Sequence, residues 1–507
     1  MQGGLSLAEV AALLAVAQDY SFGQPAGAQL RAAVLAQEFA SAAGFDELER
    51  GDVWWTSTLR FLGCTGHAYE TALVLGDEID LRARSLRFDS GNLVEVFREM
   101  LNRAGPGRSG LGRVGPMLGL LATGKRFAAE NFRAACEVAD AFALRLQLSE
   151  SVRGALAANF ERWNGRGLPA GLEGAEIPRP MRLAQISQEF EVYARFDGVD
   201  TAVRVVGARS GKSYDPTLAH VVCQEGPRVW GEVGALDPWD EALSRAPSTL
   251  TLDPAATREC LLVLADFADL KSPWTIGHSR AVAELVGAVC GDSAADAALV
   301  HDLGRVAVAN TVWDKAGSLT RDERDRVETH TLVTDQLLRR IPYLCAFADI
   351  AVAAHERLDG SGYHRRLGGG HLAETARVLA AADCYQAMVS ERPHRAAHSP
   401  VEAAAELRAM AKAGMLGAEA IEGVLAAAGH PRSARAAFPG GLTAREAEVL
   451  GLLARGLTTR QIAARLVISP KTADHHIQSI YSKIGSSTRG AAALFATEHG
   501  LVAAAPE

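Results

Sequence analysis

Apolar residues in this chain recur at intervals of three and four, the spacing of a helix with one buried face. Cys260–Leu270 and Ala403–Met410 are clear examples, and alanine-rich stretches of this kind dominate. Alternation with period two is hard to find, so the expected fold class is all-α. Pro and Gly interrupt the helical pattern at Gly105–Gly115, from Gly226 to about Pro254, and at Gly429–Gly441. The last two interruptions divide the chain into 1–226, a linker 227–252, 253–429, a linker 430–440, and 441–507.

The pattern is sharpest in the final segment. Thr443-Ala-Arg-Glu446 opens an apolar run as a capping box, and Gly456 is placed to end that helix. Thr458-Thr-Arg-Gln461 repeats the signal before Ile462, Ala463 and Leu466, and Ser469-Pro470 offers an N-cap followed by Pro at the first helical position. The third helix runs to about Ile484 before Gly485, with Ile477, Ile480 and Ile484 inward and Lys471, Asp474, His475 and Gln478 outward. Two helices joined by a tight turn, the second presenting a polar row, can enter a major groove.

A long-range repeat adds to this picture. Glu161-Arg-Trp-Asn-Gly-Arg-Gly-Leu-Pro169 resembles Glu356-Arg-Leu-Asp-Gly-Ser-Gly-Tyr-His364; Leu59-Arg-Phe-Leu-Gly63 corresponds to Val300-His-Asp-Leu-Gly304, and Met181-Arg-Leu-Ala to Ala376-Arg-Val-Leu. The first copy carries an insertion of roughly 45 residues near its middle.

Composition bounds the function. With 48% hydrophobic and 22% charged residues the 507-residue chain is of globular type. The formal charge of -8 repels phosphate overall, so nucleic-acid contact requires a local surface. From Gly440 onward seven Lys or Arg face five Asp or Glu. The seven cysteines form no CxxC pair, which fits a reducing compartment. Glu9 interrupts the N-terminal apolar stretch, and no charge-free apolar run approaches the roughly 18 residues of a membrane span. The expected location is cytoplasmic, with no membrane partner.

Between Asp253 and about Gly429 the helical pattern carries His278, His301-Asp302, His330, His355 and Asp383. Imidazole and carboxylate ligands suit iron, manganese or zinc. Two such cations close together lower the pKa of water and stabilise both oxygens of an in-line displacement at phosphorus. The plainer reading, polar residues satisfied in a helical core, applies to any one of these side chains alone.

In order and approximate spacing, these elements resemble the HD superfamily and its HD-GYP branch. The matching residues are Gly277-His-Ser-Arg, His301-Asp-Leu-Gly-Arg305, Asp314-Lys-Ala-Gly-Ser-Leu-Thr320, His355-Glu-Arg-Leu-Asp-Gly-Ser-Gly-Tyr363, Asp383-Cys-Tyr-Gln-Ala-Met388 and Arg392-Pro-His-Arg395. The resemblance implies hydrolysis of cyclic di-GMP or a related phosphodiester and two divalent ions, with no organic cofactor. His278, His301 and Asp383 would hold one ion, His330 and His355 the other, and Asp302 would bridge them. It places Asp302 and Arg305 in catalysis, and Arg392 and Arg395 on the substrate phosphates. Five residues depart from the pattern. Ala354 replaces a histidine, Arg305 a lysine and His364 the motif's proline, while Trp274 and Gln386 stand where carboxylates support an extra metal in some members. The competing reading is therefore a one-component sensor whose site binds metal or nucleotide without cleaving it.

Leu442-Thr-Ala-Arg-Glu, Ile462-Ala, Ser469-Pro-Lys-Thr, His476-Ile and Tyr481-Ser-Lys-Ile-Gly resemble the LuxR/NarL family of transcriptional regulators. The resemblance implies double-stranded DNA as a partner and a recognition helix from about Ser469, with Lys471, Thr472, His476 and Lys483 near phosphates or bases. It also implies a homodimer formed through a fourth helix near Thr488–His499. Asp474 departs from the family's usual basic residue and can only accept, as from a cytosine amino group. In the first repeat copy the ligand positions pair with Gln29, Arg60-Phe61, Cys136, Phe160 and Gln188, no set for a hard metal. The expectation is thus two tandem HD-like helical domains, the first a degenerate, metal-free unit for dimerisation or sensing, then a four-helix LuxR-type domain.

Overall fold

A computed structural model describes residues 4–88, 111–429 and 438–502, and the side chains of all but 111–125 among them. Residues 105–110 of the first Pro/Gly cluster, part of the insertion, and 430–437 of the second linker lie outside the described residues. Among the described residues all regular structure is helical, and strand-like pairing is confined to isolated bridges such as Asn164 with Glu173 and Asp359 with Gly368. The chain divides into two compact units: 8–64 with 78–249, and 1–7 with 65–77 and 250–507.

In the first of these, Ala28–Ala42, Glu47–Leu59 and Arg179–Asp197 pack against one another. Asp46 starts the second helix with a capping box to Glu49. Phe39 meets Phe190 edge to face at 5.5 Å, and the buried Trp54 indole donates to the Ala242 carbonyl at 2.8 Å. In the other unit, Pro254–Asp269, His278–Cys290, Asp292–Leu299, Arg321–Leu338, Pro342–Ala351 and Glu374–Val389 form a helical core around the short turn Leu303–Ala307.

The repeat is visible in the backbone. The Glu161 carboxylate accepts from the amides of Ala170, Gly171 and Leu172, and Glu356 accepts from Arg365 and Leu367 in the same relative positions. A loop folded onto a buried carboxylate explains why this stretch is alike in both copies. Gly63 and Gly304 permit equivalent close approaches of a following helix. A β-carbon would lie 1.8 Å from the Ala135 carbonyl oxygen in one copy and 2.2 Å from that of His330 in the other. The counterpart of His330 is therefore Ala135, one residue before the expected Cys136. The other ligand counterparts have different partners: Arg60 donates to Asn159 at 2.7 Å, Phe61 stacks on Phe22, and Phe160 stacks on Phe132.

The C-terminal segment forms four helices, Ala444–Ala454, Thr459–Arg465, Pro470–Ile484 and Arg489–Glu498. The caps are the predicted ones. Thr443 with Glu446 and Thr458 with Gln461 form capping boxes, the Ser469 hydroxyl accepts from the Thr472 amide at 3.0 Å, and Gly485 ends the third helix at φ 66°. Ala473, Ile477 and Ile480 are buried and Ile484 is half-buried. These helices belong to the same compact unit as the histidine-bearing core. Arg465 pairs with Glu391 of that core at 2.8 Å, and Gly456 lies against Pro273 with no room for a side chain.

Candidate metal centre

Each predicted ligand is delivered by an element the sequence specifies. His278 is the first residue of its helix, after Gly277 at φ 77°. His301 and Asp302 follow Asp292–Leu299 and lead into the Leu303–Ala307 turn, which Gly304 allows to meet the helix carrying His330. His355 closes the turn Val352–His355, and Asp383 lies within Glu374–Val389. All six side chains are buried.

They form two groups sharing Asp302: His278, His301, Asp302 and Asp383, and Asp302, His330 and His355. Within each group the ligand atoms lie within 4.8 Å of one another. Asp302 Oδ1 is 3.2 Å from His330 Nε2 and 3.1 Å from His355 Nε2, and its Oδ2 is 3.0 Å from His301 Nε2. Asp383 Oδ1 lies 3.0 Å from His278 Nε2, and its Oδ2 lies 3.3 Å from His355 Nδ1.

Hydrogen bonds orient the rings. His301 Nδ1 donates to the Ala298 carbonyl at 2.7 Å and His330 Nδ1 to that of Val327, so both present Nε2 to the carboxylates. Neither Nε2 atom has an aligned hydrogen-bond partner among the described residues. A lone pair facing a carboxylate is repelled, so the arrangement calls for a cation or a proton between them. This orphaned, buried donor set fits a divalent metal. The same field acts on protons. Burial lowers the His301 pKa, but Asp302 and Asp383 overcome it and raise it to about 10; at His278, burial prevails and lowers it to about 4. Asp302 is desolvated by burial, yet Arg305 and His301 hold its carboxyl well below the usual range.

Arg305 pairs directly with Asp302 Oδ2, and its guanidinium lies 4.8 Å from the Trp313 ring centroid. Arg392 lies half-buried nearby and donates to the Trp274 carbonyl at 3.3 Å. Burial and the neighbouring Arg305 push its pKa down to about 10. The structure does not aim Arg395 at the cluster: its guanidinium donates to the carbonyls of Ala387, Met388, Ser390 and Ala396, at and beyond the end of Glu374–Val389. Ala354 is fully buried and supplies no ligand. Sequence reasoning missed Trp313, which meets His330 edge to face at 5.4 Å, and the stacking of Tyr363 on His355 at 4.9 Å. Nothing in the spacing of the ligands announces either contact.

On the C-terminal segment Lys471, Thr472, Asp474, His475, Gln478 and Lys483 are exposed and His476 is half-buried. Lys483 is also engaged, its ammonium 2.7 Å from the Glu446 carboxylate. Among the described residues no helix is long and apolar enough to cross a membrane.

Comparison with known proteins agrees with this geometry. The HD domain family matches residues 262–419, and the family of bacterial regulatory proteins of the luxR type matches 441–496. A 3'3'-cGAMP-specific phosphodiesterase of Vibrio cholerae is 30% identical over 410 residues, covering 78% of this chain and 89% of the relative. A cyclic di-GMP phosphodiesterase of Thermotoga maritima is 32% identical over 148 residues, 27% of this chain and 39% of that protein. The crystal structure of a cyclic GMP-AMP specific phosphodiesterase from V. cholerae superposes with a TM-score of 0.58 at 26% identity, covering 85% of this chain and 99% of the other. The chain belongs to the HD-GYP family of HD-domain proteins and joins to it a C-terminal LuxR-type helix-turn-helix domain.

Proposed function

We propose that this protein is a metal-dependent phosphodiesterase of cyclic dinucleotides carried on a DNA-binding regulator. The observation that carries the reading is Asp302, buried and shared between two ligand groups. His278, His301, Asp302 and Asp383 would hold one ion and Asp302, His330 and His355 a second. Such ions supply Lewis acidity at the phosphoryl oxygens and a water of lowered pKa. The chain's own residues do the rest. His301 and His330 are oriented to offer Nε2, Tyr363 and Trp313 wall the histidines, and Arg392 offers a half-buried cation to a substrate phosphate. Arg305 positions Asp302 by pairing with its carboxylate. A 3'3'-linked dinucleotide is the substrate class, with 3'3'-cGAMP ahead of cyclic di-GMP because the relative named for the former matches most of the chain. The C-terminal domain binds double-stranded DNA as a homodimer through the exposed face from Lys471 to Lys483.

The test measures metal content and cleavage of 3'3'-cGAMP and cyclic di-GMP under iron, manganese and zinc, in wild type and Asp302→Ala. Loss of a shared ligand should lower metal affinity and cleavage by at least about 100-fold. Ala354 favours the sensor reading, and binding of metal or nucleotide without cleavage would establish it. A wild type that takes up no metal and binds no dinucleotide would end both.

A further inference from the structure

Beside the metal cluster, inside the compact unit that holds both the HD core and the C-terminal helices, is a cavity of about 490 Å³. Sites for small organic ligands typically enclose about 300–1,000 Å³. His278 lines it and ties it to the metal cluster, Trp274 and Tyr385 give it aromatic surface, and Gln386 adds an amide. The core does not complete the lining. Arg455 and Val502, from the DNA-binding domain, also contribute to it.

Arg455 follows Ala444–Ala454 as its C-cap. The side chain is half-buried, and its guanidinium makes no hydrogen bond to any described residue. Its electrostatic neighbours are Glu391, which Arg465 already engages at 2.8 Å, and Arg465 itself. A desolvated guanidinium without a bidentate acceptor is costly unless something supplies one. A cyclic dinucleotide has two phosphodiesters and two flat bases. With one phosphate at the cluster, the second requires a cation at a distance, and the bases require aromatic surface.

We propose that this cavity is a composite ligand site in which Arg455, a residue of the DNA-binding domain, binds the second phosphate of the dinucleotide. The inference rests on the phosphodiesterase reading above. It makes the ligand a bridge between the two domains. Ligand affinity then depends on how the DNA-binding domain is placed, and by linkage DNA affinity depends on the ligand.

The experiment uses the full chain with manganese and compares wild type, Arg455→Ala and Arg455→Lys. It measures Kd, KM and kcat for 3'3'-cGAMP and cyclic di-GMP, cleavage of bis(p-nitrophenyl) phosphate, and amide exchange over residues 450–457. Arg455→Ala should raise Kd and KM at least about tenfold, the worth of a charge-assisted hydrogen bond to phosphate, with kcat within about twofold. Arg455→Lys should recover part of that loss. Cleavage of bis(p-nitrophenyl) phosphate, which has a single phosphate, should be unchanged and reports that the variants are folded. The dinucleotide should slow exchange over 450–457 in wild type and leave it unaltered in Arg455→Ala. Equal Kd and KM in wild type and Arg455→Ala would overturn the assignment and leave the phosphodiesterase reading standing. A wild type that neither binds nor cleaves either dinucleotide would remove both.

Discussion

Asp302 meets four imidazoles and a guanidinium with two oxygens, so the charge around it decides what the centre can hold. The field that lifts His301 to about 10 is the field that attracts a divalent cation. Without metal, His301 is protonated at pH 8, and uptake of metal must expel that proton. Its contribution to the stability of the metal-free fold is full below the ordinary histidine pKa, near 6.5, and is lost as pH rises through about 10. Calorimetry of metal binding at pH 8, in two buffers of different ionisation enthalpy, should show about one proton released per chain from this residue. The release should disappear in His301→Asn. That these six side chains would cluster was legible in the sequence because histidines and aspartates at separated helical positions have few other reasons to recur together. Arg395 was not, since its spacing from Arg392 says nothing about which way a guanidinium turns, and helix-terminal carbonyls compete for it.

At the scale of elements, Glu446 ties the DNA-binding domain together. It closes the capping box with Thr443, accepts from the Ser479 hydroxyl at 2.7 Å and pairs with Lys483, fastening the first helix of the segment to the third. Hydrogen bonds from Lys483 and from the Thr443 backbone hold its pKa down to about 2. Its stabilisation is therefore present above the ordinary glutamate pKa, near 4.5, and fades as pH falls toward 2. Lys483 is thus partly spent within the domain, whereas Lys471 is exposed with no acidic partner among the described residues. Lys471→Ala should reduce the salt slope of DNA binding by about 1, and Lys483→Ala by distinctly less, read from affinities across a salt series. Equal slopes for the two variants would place both lysines alike on the phosphates. Caps and buried isoleucines were readable here because each is a local rule. The counterpart of His330 was not, because the close approach through Gly63 that identifies Ala135 joins segments far apart in sequence.

At the scale of the whole molecule, a reading of contiguous segments could not assign 65–77 to the compact unit that begins again at 250. Nor could it show that the helix expected at a dimer contact, Arg489–Glu498, has no exposed residue in this arrangement. Arg489 donates to the Leu453 and Leu457 carbonyls, and Thr497 lies near Gly277. Stability should separate from metal content. Chelation should leave the helical content of the full chain nearly unchanged and lower its Tm by less than loss of Asp302 does, because Arg305 pairs with Asp302 and Arg392 lies close to both carboxylates. Asp302→Ala, which strands Arg305, should lower stability by about 3–5 kcal/mol. Thermal denaturation of the chelated wild type and of the variant checks both.

The Arg305–Asp302 pair has an evolutionary consequence as well. A centre whose carboxylates also face Arg305 and Arg392 would not depend on metal alone to fold, so side chains of the centre other than Asp302 could be lost without an unfolded ancestor in between. The first repeat copy has the form such a history would leave, the carboxylate loop at Glu161 persisting on a scaffold whose ligand positions, Arg60 among them, have changed. Inheritance of the fold and inheritance of the reaction would then be separate events, and the second copy carries the buried Ala354 where the family resemblance leads one to expect a histidine.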